Sequence, residues 1–328
     1  MRIAGARPVK DWTLLCYNAG QADAGKMGTS ALLDLERTGS DEHTHVVALN
    51  HRSGWWPEQM LEKVGLFRGA QGTAVYEVGP KSERREPWLV RAHRPFPKEF
   101  HRFAQFVYSS PSQLQSRVVE RLPDETNVGQ AETLKQFLIK NMERYPARRY
   151  GLVMTGHGAA FAGQMIVHGP EGRMQGEEIA QVLREVEQET GKKLDLLNLN
   201  TCYGANLETL YPLRGVVDTV VASEGVVFAA TQPLGAQLAN LQQKLHSGQE
   251  VDGPGLARLM VEESRRQPLA NSYTRTLSAL DTRGFDQLAE AVAGLQEQLK
   301  TLPGDEVAGK LEECRRFLFN SRHRPVHL

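Results

Sequence analysis

The sequence predicts a doubly wound α/β fold with a mostly parallel central sheet. Two continuous apolar runs, Tyr150–Thr155 and Leu194–Leu199, are bounded by Gly or Asn and have the length of strands that are buried on both faces. Along the chain such strands alternate with amphipathic helical patterns, an order typical of right-handed strand-helix-strand crossovers. We therefore expect helices on both faces of one sheet.

The first third of the chain begins this alternation. Trp12–Tyr17 predicts a first strand, and Met27–Arg37 predicts a helix because it is leucine-rich and a glycine follows it. His45–Leu49 is the second predicted strand. Residues 55–108 mix short β-rich pieces, such as Ala74–Val78, with Pro, Gly and charge, so we interpret them as a surface insertion or hairpin region.

Two further helices precede the two buried strands. Ala131–Tyr145 carries apolar residues at helical spacing and is closed by Pro146, and Glu177–Glu189 has a similar apolar face closed by Gly191. Thr219–Ala222 is a fifth strand candidate. Beyond it, apolar residues recur at spacings of three and four, which predicts a helical C-terminal part.

Length and composition favour one large domain with an appendage. A chain of 328 residues, 40% apolar and 24% charged, can bury a sizeable core. We divide it into an N-terminal extension over residues 1–10, an α/β domain over residues 11–280, and helices over residues 281–328. The helices either pack on the domain or form a small lobe, and no feature of the sequence predicts the oligomeric state.

Charge and hydropathy exclude several classes of protein. Lys plus Arg and Asp plus Glu number 39 each, so no net field favours nucleic acid or an anionic membrane. Residues 81–102 combine Arg and Lys with aromatic side chains, but their glutamates indicate a solvated hairpin rather than a nucleic-acid surface. Because no apolar run reaches the length of a membrane span and the N-terminus lacks a signal-peptide pattern, we expect a cytoplasmic protein.

Each of the two buried strands ends in a reactive side chain. The first runs into His157, which has a glycine on either side, and the second runs into Cys202. The carboxyl ends of strands in an open parallel sheet form its ligand-binding crevice. His157 and Cys202 can therefore meet there, as a base and the nucleophile that it activates.

The neighbours of this pair predict further roles. The amides of Gly158 and Cys202 are candidates for an oxyanion hole. His157 could instead be a satisfied core histidine, although its flanking glycines allow a substrate to approach closely. Cys16 lies in the first predicted strand and Cys314 on the apolar face of a predicted helix, so we expect both to be buried structural residues. Three scattered cysteines make no disulfide framework, so we expect their thiols to be free.

Signals for metals and nucleotides are weaker. His43, His45 and His51 lie around the second strand without spaced Cys or carboxylate partners, so we interpret them as surface histidines and predict no metal site. No glycine-rich phosphate loop follows a strand in the required form, which disfavours a nucleotide-binding protein.

The order of these segments resembles that of the clostripain-like cysteine peptidases, relatives of caspases, legumain, gingipains and separase. The similar segments are the first strand with Asn18, residues 132–158, residues 194–208, Val221–Glu224 and Leu277–Asp281. The resemblance covers most of residues 11–300 in the right order. It implies a caspase-like αβα sandwich in which Cys202 is the nucleophile and His157 is the general base and acid.

One departure from the family concerns the specificity pocket. The family's usual residues before the nucleophile are Asp-Ala, and the Asp lines the pocket for an Arg or Lys side chain, whereas this chain has Asn200 and Thr201. A neutral amide does not pair with a guanidinium as a carboxylate does. The preference at the cleavage site therefore stays open. Glu224 either supplies a carboxylate to the pocket or is a solvated loop acid.

We expect a cysteine endopeptidase that cleaves protein or peptide substrates through an acyl-enzyme. One alternative is a catalytically weak caspase-like scaffold that binds a partner protein, and another is a thiol hydrolase of a non-peptide ester or amide. Calcium dependence follows from the resemblance alone, and the sequence itself identifies no cofactor. The loop around Arg173 is either a site of self-cleavage or an intact hairpin.

Overall fold

The computed structural model describes residues 7–21, 23–53, 72–80, 113–167, 172–227, 232–266 and 276–323. The chain forms two compact units, Met1–Thr282 and Arg283–Leu328. The first unit contains a large β-sheet with helices, and the described part of the second contains two α-helices.

One sheet of nine strands organises the described part of the first unit. The strands are β1 (Lys10–Gln21), β2 (Thr44–Ser53), β3 (Gly72–Val78), β4 (Arg117–Leu122), β5 (Ala147–Gly158), β6 (Gln164–Ile166), β7 (Leu196–Asn200), β8 (Thr219–Ser223) and β9 (Leu277–Asp281). Their order across the sheet is β4-β3-β2-β1-β5-β7-β8-β9, and β6 pairs with β5. The five central strands, β2, β1, β5, β7 and β8, run parallel to one another, whereas β3, β4 and β9 are antiparallel to their neighbours.

Helices of the first unit cover both faces of this sheet. The described helices are α1 (Asp23–Leu35), α2 (Ala131–Arg144), α3 (Gly176–Thr190), α4 (Leu207–Leu210), α5 (Leu234–His246), α6 (Gly253–Arg265), α7 (Phe285–Lys300) and α8 (Gly304–His323). Side chains of a strand alternate between faces. Trp12 and Leu14 of β1 accordingly share a buried core with α1, α5 and α6, whereas Tyr17 packs on Phe137 of α2, with ring centroids 5.6 Å apart.

The predicted fold class is confirmed, and the sequence prediction falls short at the sheet edges. All five predicted strands are present, and Ala74–Val78 lies in β3. The sequence analysis does not predict β4, β6 or β9. β4 is only half-buried and β6 has three residues, so neither has a clear periodic pattern. The other β-rich pieces of the insertion, and the basic stretch 81–102, lie outside the described residues.

The C-terminal helices correct one prediction. Cys314 is exposed rather than buried in a core. No residue of α7 is buried, and the apolar side chains of Leu295 and Leu311 are 55% and 58% exposed. The helical periodicity is therefore real, but it does not imply burial for this cysteine. The predicted boundaries at residues 10 and 280 stay predictions.

The sheet topology locates a crevice. From β1 the chain continues to β2 on one side, whereas β5, which pairs with β1 on the other side, leads on to β7 and β8. In open α/β sheets the ligand crevice lies outside the carboxyl ends of the strands where the direction of winding reverses. That point is the boundary between β1 and β5, and His157 is the penultimate residue of β5.

Candidate active site

The ends of β5 and β7 bring His157 and Cys202 to neighbouring positions. Thr155 of β5 pairs in register with Asn200 of β7, and the histidine and the cysteine each follow this pair by two residues. Adjacent strands lie about 4.8 Å apart, and Cys202 lies two residues beyond the end of β7. Both His157 and Cys202 are half-buried. The register thus directs imidazole and thiol to the same end of the sheet.

A close backbone contact joins the two strand ends. The carbonyl oxygen of Cys202 lies 2.3 Å from the position that a Cβ atom would occupy on Gly158, and Cβ of Thr201 lies 3.0 Å from that position. An ordinary Cβ contact is longer than 3.4 Å. Only glycine therefore fits at position 158. The loop that carries Cys202 crosses directly over the residue that follows His157.

Backbone strain is concentrated around these two residues. In the part of the chain that the structure describes, the non-glycine residues with positive φ are Ala160 (54°), Met165 (55°) and Tyr203 (54°). Ala160 and Met165 lie in the hairpin that follows His157, and Tyr203 follows Cys202. Each such residue costs on the order of 1–3 kcal/mol, and residues of this kind cluster at functional sites. The surrounding contacts must hold this conformation in place.

Hydrogen bonds tie the cysteine loop to the segment after β8. The amides of Tyr203 and Ala205 donate to the carbonyls of Gly225 and Ser223, each at 2.9 Å. The Cys202 Sγ atom accepts from the Val227 amide at 3.4 Å. The cysteine loop is therefore held from two directions: its backbone contacts Gly158 of β5, and its sulfur contacts Val227 in the segment after β8.

A buried side-chain pair supports the residue before the cysteine. The hydroxyl of Thr201 donates to Oε1 of Gln164 at 2.6 Å, and both residues are buried. The backbone of Gln164 exchanges two hydrogen bonds of 2.8 Å with Met174. Gln164 therefore connects the hairpin after His157 with the cysteine loop. Gln164 cannot be recognised as the partner of Thr201 from the sequence, because only the folded hairpin brings the two residues together.

A row of uncharged polar side chains crosses the sheet two residues before His157 and Cys202. Asn50, Asn18, Thr155 and Asn200 are register partners on four adjacent parallel strands, and all four are buried. The Nδ2 atom of Asn200 donates to Oγ1 of Thr155 at 3.3 Å. Oδ1 of Asn200, Oδ1 of Asn50 and both amide atoms of Asn18 are buried without a hydrogen-bond partner.

Helix α1 covers the β2 end of this row. The position of a Cβ atom on Gly28 would lie 2.3 Å from Oδ1 of Asn50 and 2.7 Å from Cβ of Asn18. The helix therefore lies directly on the row, and a larger residue at position 28 would displace it. Of these row members, only Asn200 is predicted from the sequence to line the site. The others are recognised only from the strand register.

The remaining predicted positions are spread around the site. Glu224 is exposed at the end of β8. Arg173 is exposed, but Met174 next to it is buried and bridged to β6, and residues 168–171 of the same loop lie outside the described residues. Cys16 is fully buried, and this burial raises the pKa of its thiol to about 12.

Two of the three histidines near β2 differ from their interpretation as isolated surface residues. His45 is buried and packs on the ring of Tyr145, with centroids 5.5 Å apart. His43 lies with Glu42 and His246 in a group whose ligand atoms are all within 4.8 Å of one another. Sequence reasoning did not identify this group, because His246 is remote from the other two residues in the chain.

The pair Thr201 and Gln164 leads to a stability prediction. We expect Thr201→Val to lower the free energy of unfolding by about 1–3 kcal/mol, because it leaves the buried Oε1 of Gln164 without a donor. Chemical denaturation measures the change. Thr201→Ser keeps the hydroxyl and is the matched control. An unchanged free energy of unfolding in Thr201→Val, or an equal loss in Thr201→Ser, which keeps the hydroxyl, would contradict the proposed role of the hydrogen bond.

Comparisons with known proteins identify the family and the fold of the chain. The profile of the clostripain family, Peptidase_C11, matches residues 106–324. No curated protein matches the chain significantly. Within the described residues no helix is long and apolar enough to cross a membrane.

Two solved structures share the fold. One is an inactive zymogen C11 protease from Parabacteroides distasonis, with a TM-score of 0.57 and 17% identity over 92% of this chain and 72% of that chain. The other is a secreted C11 cysteine protease from Bacteroides thetaiotaomicron, with a TM-score of 0.53 and 12% identity over 89% of this chain and 72% of that chain. Since the family profile spans more than half of the sequence, the chain belongs to the clostripain family of cysteine peptidases.

Proposed function

We propose that this cysteine peptidase is an endopeptidase with Cys202 as its nucleophile and His157 as its general base and acid. The observation that carries the proposal is the contact between Gly158 and the carbonyl of Cys202. It fixes the residue after the histidine against the cysteine loop. The glycines on both sides of His157 leave room for a substrate backbone to approach.

In the proposed mechanism, His157 takes the proton of the Cys202 thiol, and the sulfur attacks the scissile carbonyl carbon. The amides of Gly158 and Cys202 donate to the oxyanion of the tetrahedral intermediate. His157 then protonates the leaving amine, which departs and leaves a thioester on the enzyme. Water, deprotonated by the same imidazole, hydrolyses this acyl-enzyme and releases the second product.

The buried polar row supports a specificity for uncharged side chains at the cleavage site. Asn200 and Asn18 offer acceptors and donors without hydrogen-bond partners, but no negative charge. An Arg or Lys side chain bound beside this row would lose its hydration without gaining an ion pair. Glu224 is exposed, which favours its interpretation as a solvated loop acid.

Three expectations from the sequence stay predictions. A cytoplasmic location is one of them, and a structure of similar fold belongs to a protease described as secreted. Calcium dependence is the second. The only group of three potential metal ligands among the described residues contains two histidines, which suit Ca²⁺ poorly. Self-cleavage in the loop around Arg173 is the third, and the buried, bridged position of Met174 favours an intact chain.

The alternative of a weakly active binding scaffold differs in a measurable way. A scaffold would bind its partner equally well with or without the Cys202 thiol and would release no product. Comparison of the protein termini generated in a proteome by wild type and by Cys202→Ala separates the two functions. Cleavage that depends on the thiol supports the endopeptidase, and the same comparison identifies its substrates.

Selective alkylation tests the nucleophile. Because Cys314 is exposed, the experiment uses Cys314→Ser, in which Cys202 and the buried Cys16 are the remaining thiols. We expect limited iodoacetamide to modify Cys202 and abolish peptidase activity, while the raised pKa of Cys16 keeps it unmodified in the folded protein. Peptide mass mapping measures both sites. Modification of Cys16 at the same rate, or full activity after modification of Cys202, would contradict the assignment.

The Gly158 contact predicts a kinetic effect. We expect Gly158→Ala to lower kcat/KM about 100-fold or more, because the new Cβ pushes the Cys202 carbonyl away and misplaces the thiol by roughly 1 Å. Steady-state assays measure the loss, and thermal unfolding monitors the fold. Ala159→Ser, at the exposed neighbouring position, is the control. Unchanged kinetics in a folded Gly158→Ala protein would remove the main support for the site.

Specificity can be measured with a positional-scanning peptide library on wild type, Asn200→Asp and Glu224→Gln. We expect wild type to favour neutral residues at the cleavage site. Asn200→Asp should raise the kcat/KM for Arg peptides on the order of 30-fold, corresponding to about 2 kcal/mol for a desolvated ion pair. Glu224→Gln should match wild type. A strong Arg or Lys preference that persists in Glu224→Gln would show that a different acid lines the pocket.

A further inference from the structure

We propose that Glu42, His43 and His246 form a zinc site at the end of the sheet opposite the catalytic residues. Glu42 and His43 directly precede β2, so they lie at the amino ends of the parallel strands, whereas His157 and Cys202 lie at the carboxyl ends. His246 is the last residue of α5. One potential ligand atom from each of the three residues lies within 4.8 Å of the others.

The three side chains already converge. Nε2 of His246 lies 2.9 Å from Oε1 of Glu42. The rings of His43 and His246 meet edge to face, with centroids 4.8 Å apart. A tetrahedral Zn²⁺ site with ligand bonds near 2.05 Å places its ligand atoms about 3.3 Å apart. The present spacing is within reach of small side-chain rotations, since Glu42 is exposed and the side chain of His246 is 46% exposed.

Each imidazole is oriented by a second oxygen. Nδ1 of His43 lies 2.6 Å from Oδ2 of Asp11, and Nδ1 of His246 lies 2.6 Å from the carbonyl of Gln242. A ring whose Nδ1–H donates to such an oxygen presents Nε2 as a lone-pair donor. This arrangement, carboxylate or carbonyl to histidine to metal, is the usual outer shell of protein zinc sites. Two histidines oriented in this way distinguish the group from a chance surface cluster.

A fourth donor lies beside them. Oδ1 of Asp41 accepts hydrogen bonds from the amides of His43 and Thr44 and from the Thr44 hydroxyl, at 2.8–3.0 Å. Its other oxygen, Oδ2, is buried without a hydrogen-bond partner and lies 3.7 Å from Nε2 of His246. A buried carboxylate oxygen in this position is a ready metal ligand. It would complete a set of two imidazoles and two carboxylates.

This donor set selects the class of metal. Imidazole nitrogen with carboxylate oxygen suits Zn²⁺ and similar transition metals, whereas Ca²⁺ and Mg²⁺ require mainly oxygen ligands. Without a metal, His246 and Glu42 would form only an exposed ion pair, which is worth little to stability. A bound Zn²⁺ would instead connect the end of α5 with the segment before β2. Its role would be structural, because the site lies at the opposite end of the strands from the thiol.

The test is calorimetric titration of ZnCl2 into the untagged Cys202→Ala protein. This background removes the proposed catalytic thiol, which could bind zinc by itself. We expect one Zn²⁺ per chain and a higher Tm in its presence. His43→Gln and His246→Gln should each weaken binding at least 10-fold. Asp11→Asn, which changes only the outer shell, should weaken it on the order of 10-fold.

His51→Gln, on β2 outside the group, is the matched control and should bind like the parent. Tetrahedral absorption bands with Co²⁺ in the parent, lost in His246→Gln, would support the same site spectroscopically. Absence of stoichiometric binding in the parent would overturn the proposal. So would affinity that is unchanged in both His43→Gln and His246→Gln, or an equal loss in His51→Gln. If one of the two ligand variants fails to fold, the other decides.

Discussion

The contact between Gly158 and the Cys202 carbonyl is the constraint on which the rest of the site depends. It fixes the distance between two strand ends that the sheet alone would leave free to diverge into loops. The strained residues Ala160, Met165 and Tyr203 lie on either side of it. Their cost of on the order of 1–3 kcal/mol each is offset by buried contacts such as the Thr201 to Gln164 hydrogen bond. Close packing, hydrogen bonding and backbone strain are therefore all found around the contact between Gly158 and Cys202.

The sequence predicts the central sheet well because both faces of its strands are buried. A strand covered on both sides must be continuously apolar, and this pattern is visible in β1, β2, β5, β7 and β8 without any partner. The edge strands are different. β4 is only half-buried, and β6 has three residues and exists through its pairing with β5. Their pattern depends on neighbours that a single sequence does not reveal. The same limit explains Cys314, whose helical spacing is correct although its burial is not.

Strand ends are predictable positions, whereas side-chain partners are not. The sequence predicts His157 and Cys202 as site residues because each lies just beyond the end of an apolar run, and their roles stay predictions. It does not predict a role for Asn18 or Asn50, because only the strand register aligns them with Asn200. His246 joins residues that precede it by about two hundred positions. Such groups can be recognised only from the tertiary structure. The replacement of the family's Asp by Asn200 can likewise be interpreted only together with the buried amides of Asn18 and Asn50.

Helix α5 runs between the region of the proposed catalytic site and the proposed zinc site. It begins after the segment in which Val227 contacts the thiol and ends at His246. A helix of 13 residues spans on the order of 20 Å, so a metal at its C-terminal end is too far from Cys202 to polarise a scissile carbonyl. In the proposed mechanism, acyl transfer relies on the Cys202 thiol, the His157 imidazole and backbone amides. A cation at the far end can act on catalysis only by fixing the helix, and through it the segment that holds the sulfur.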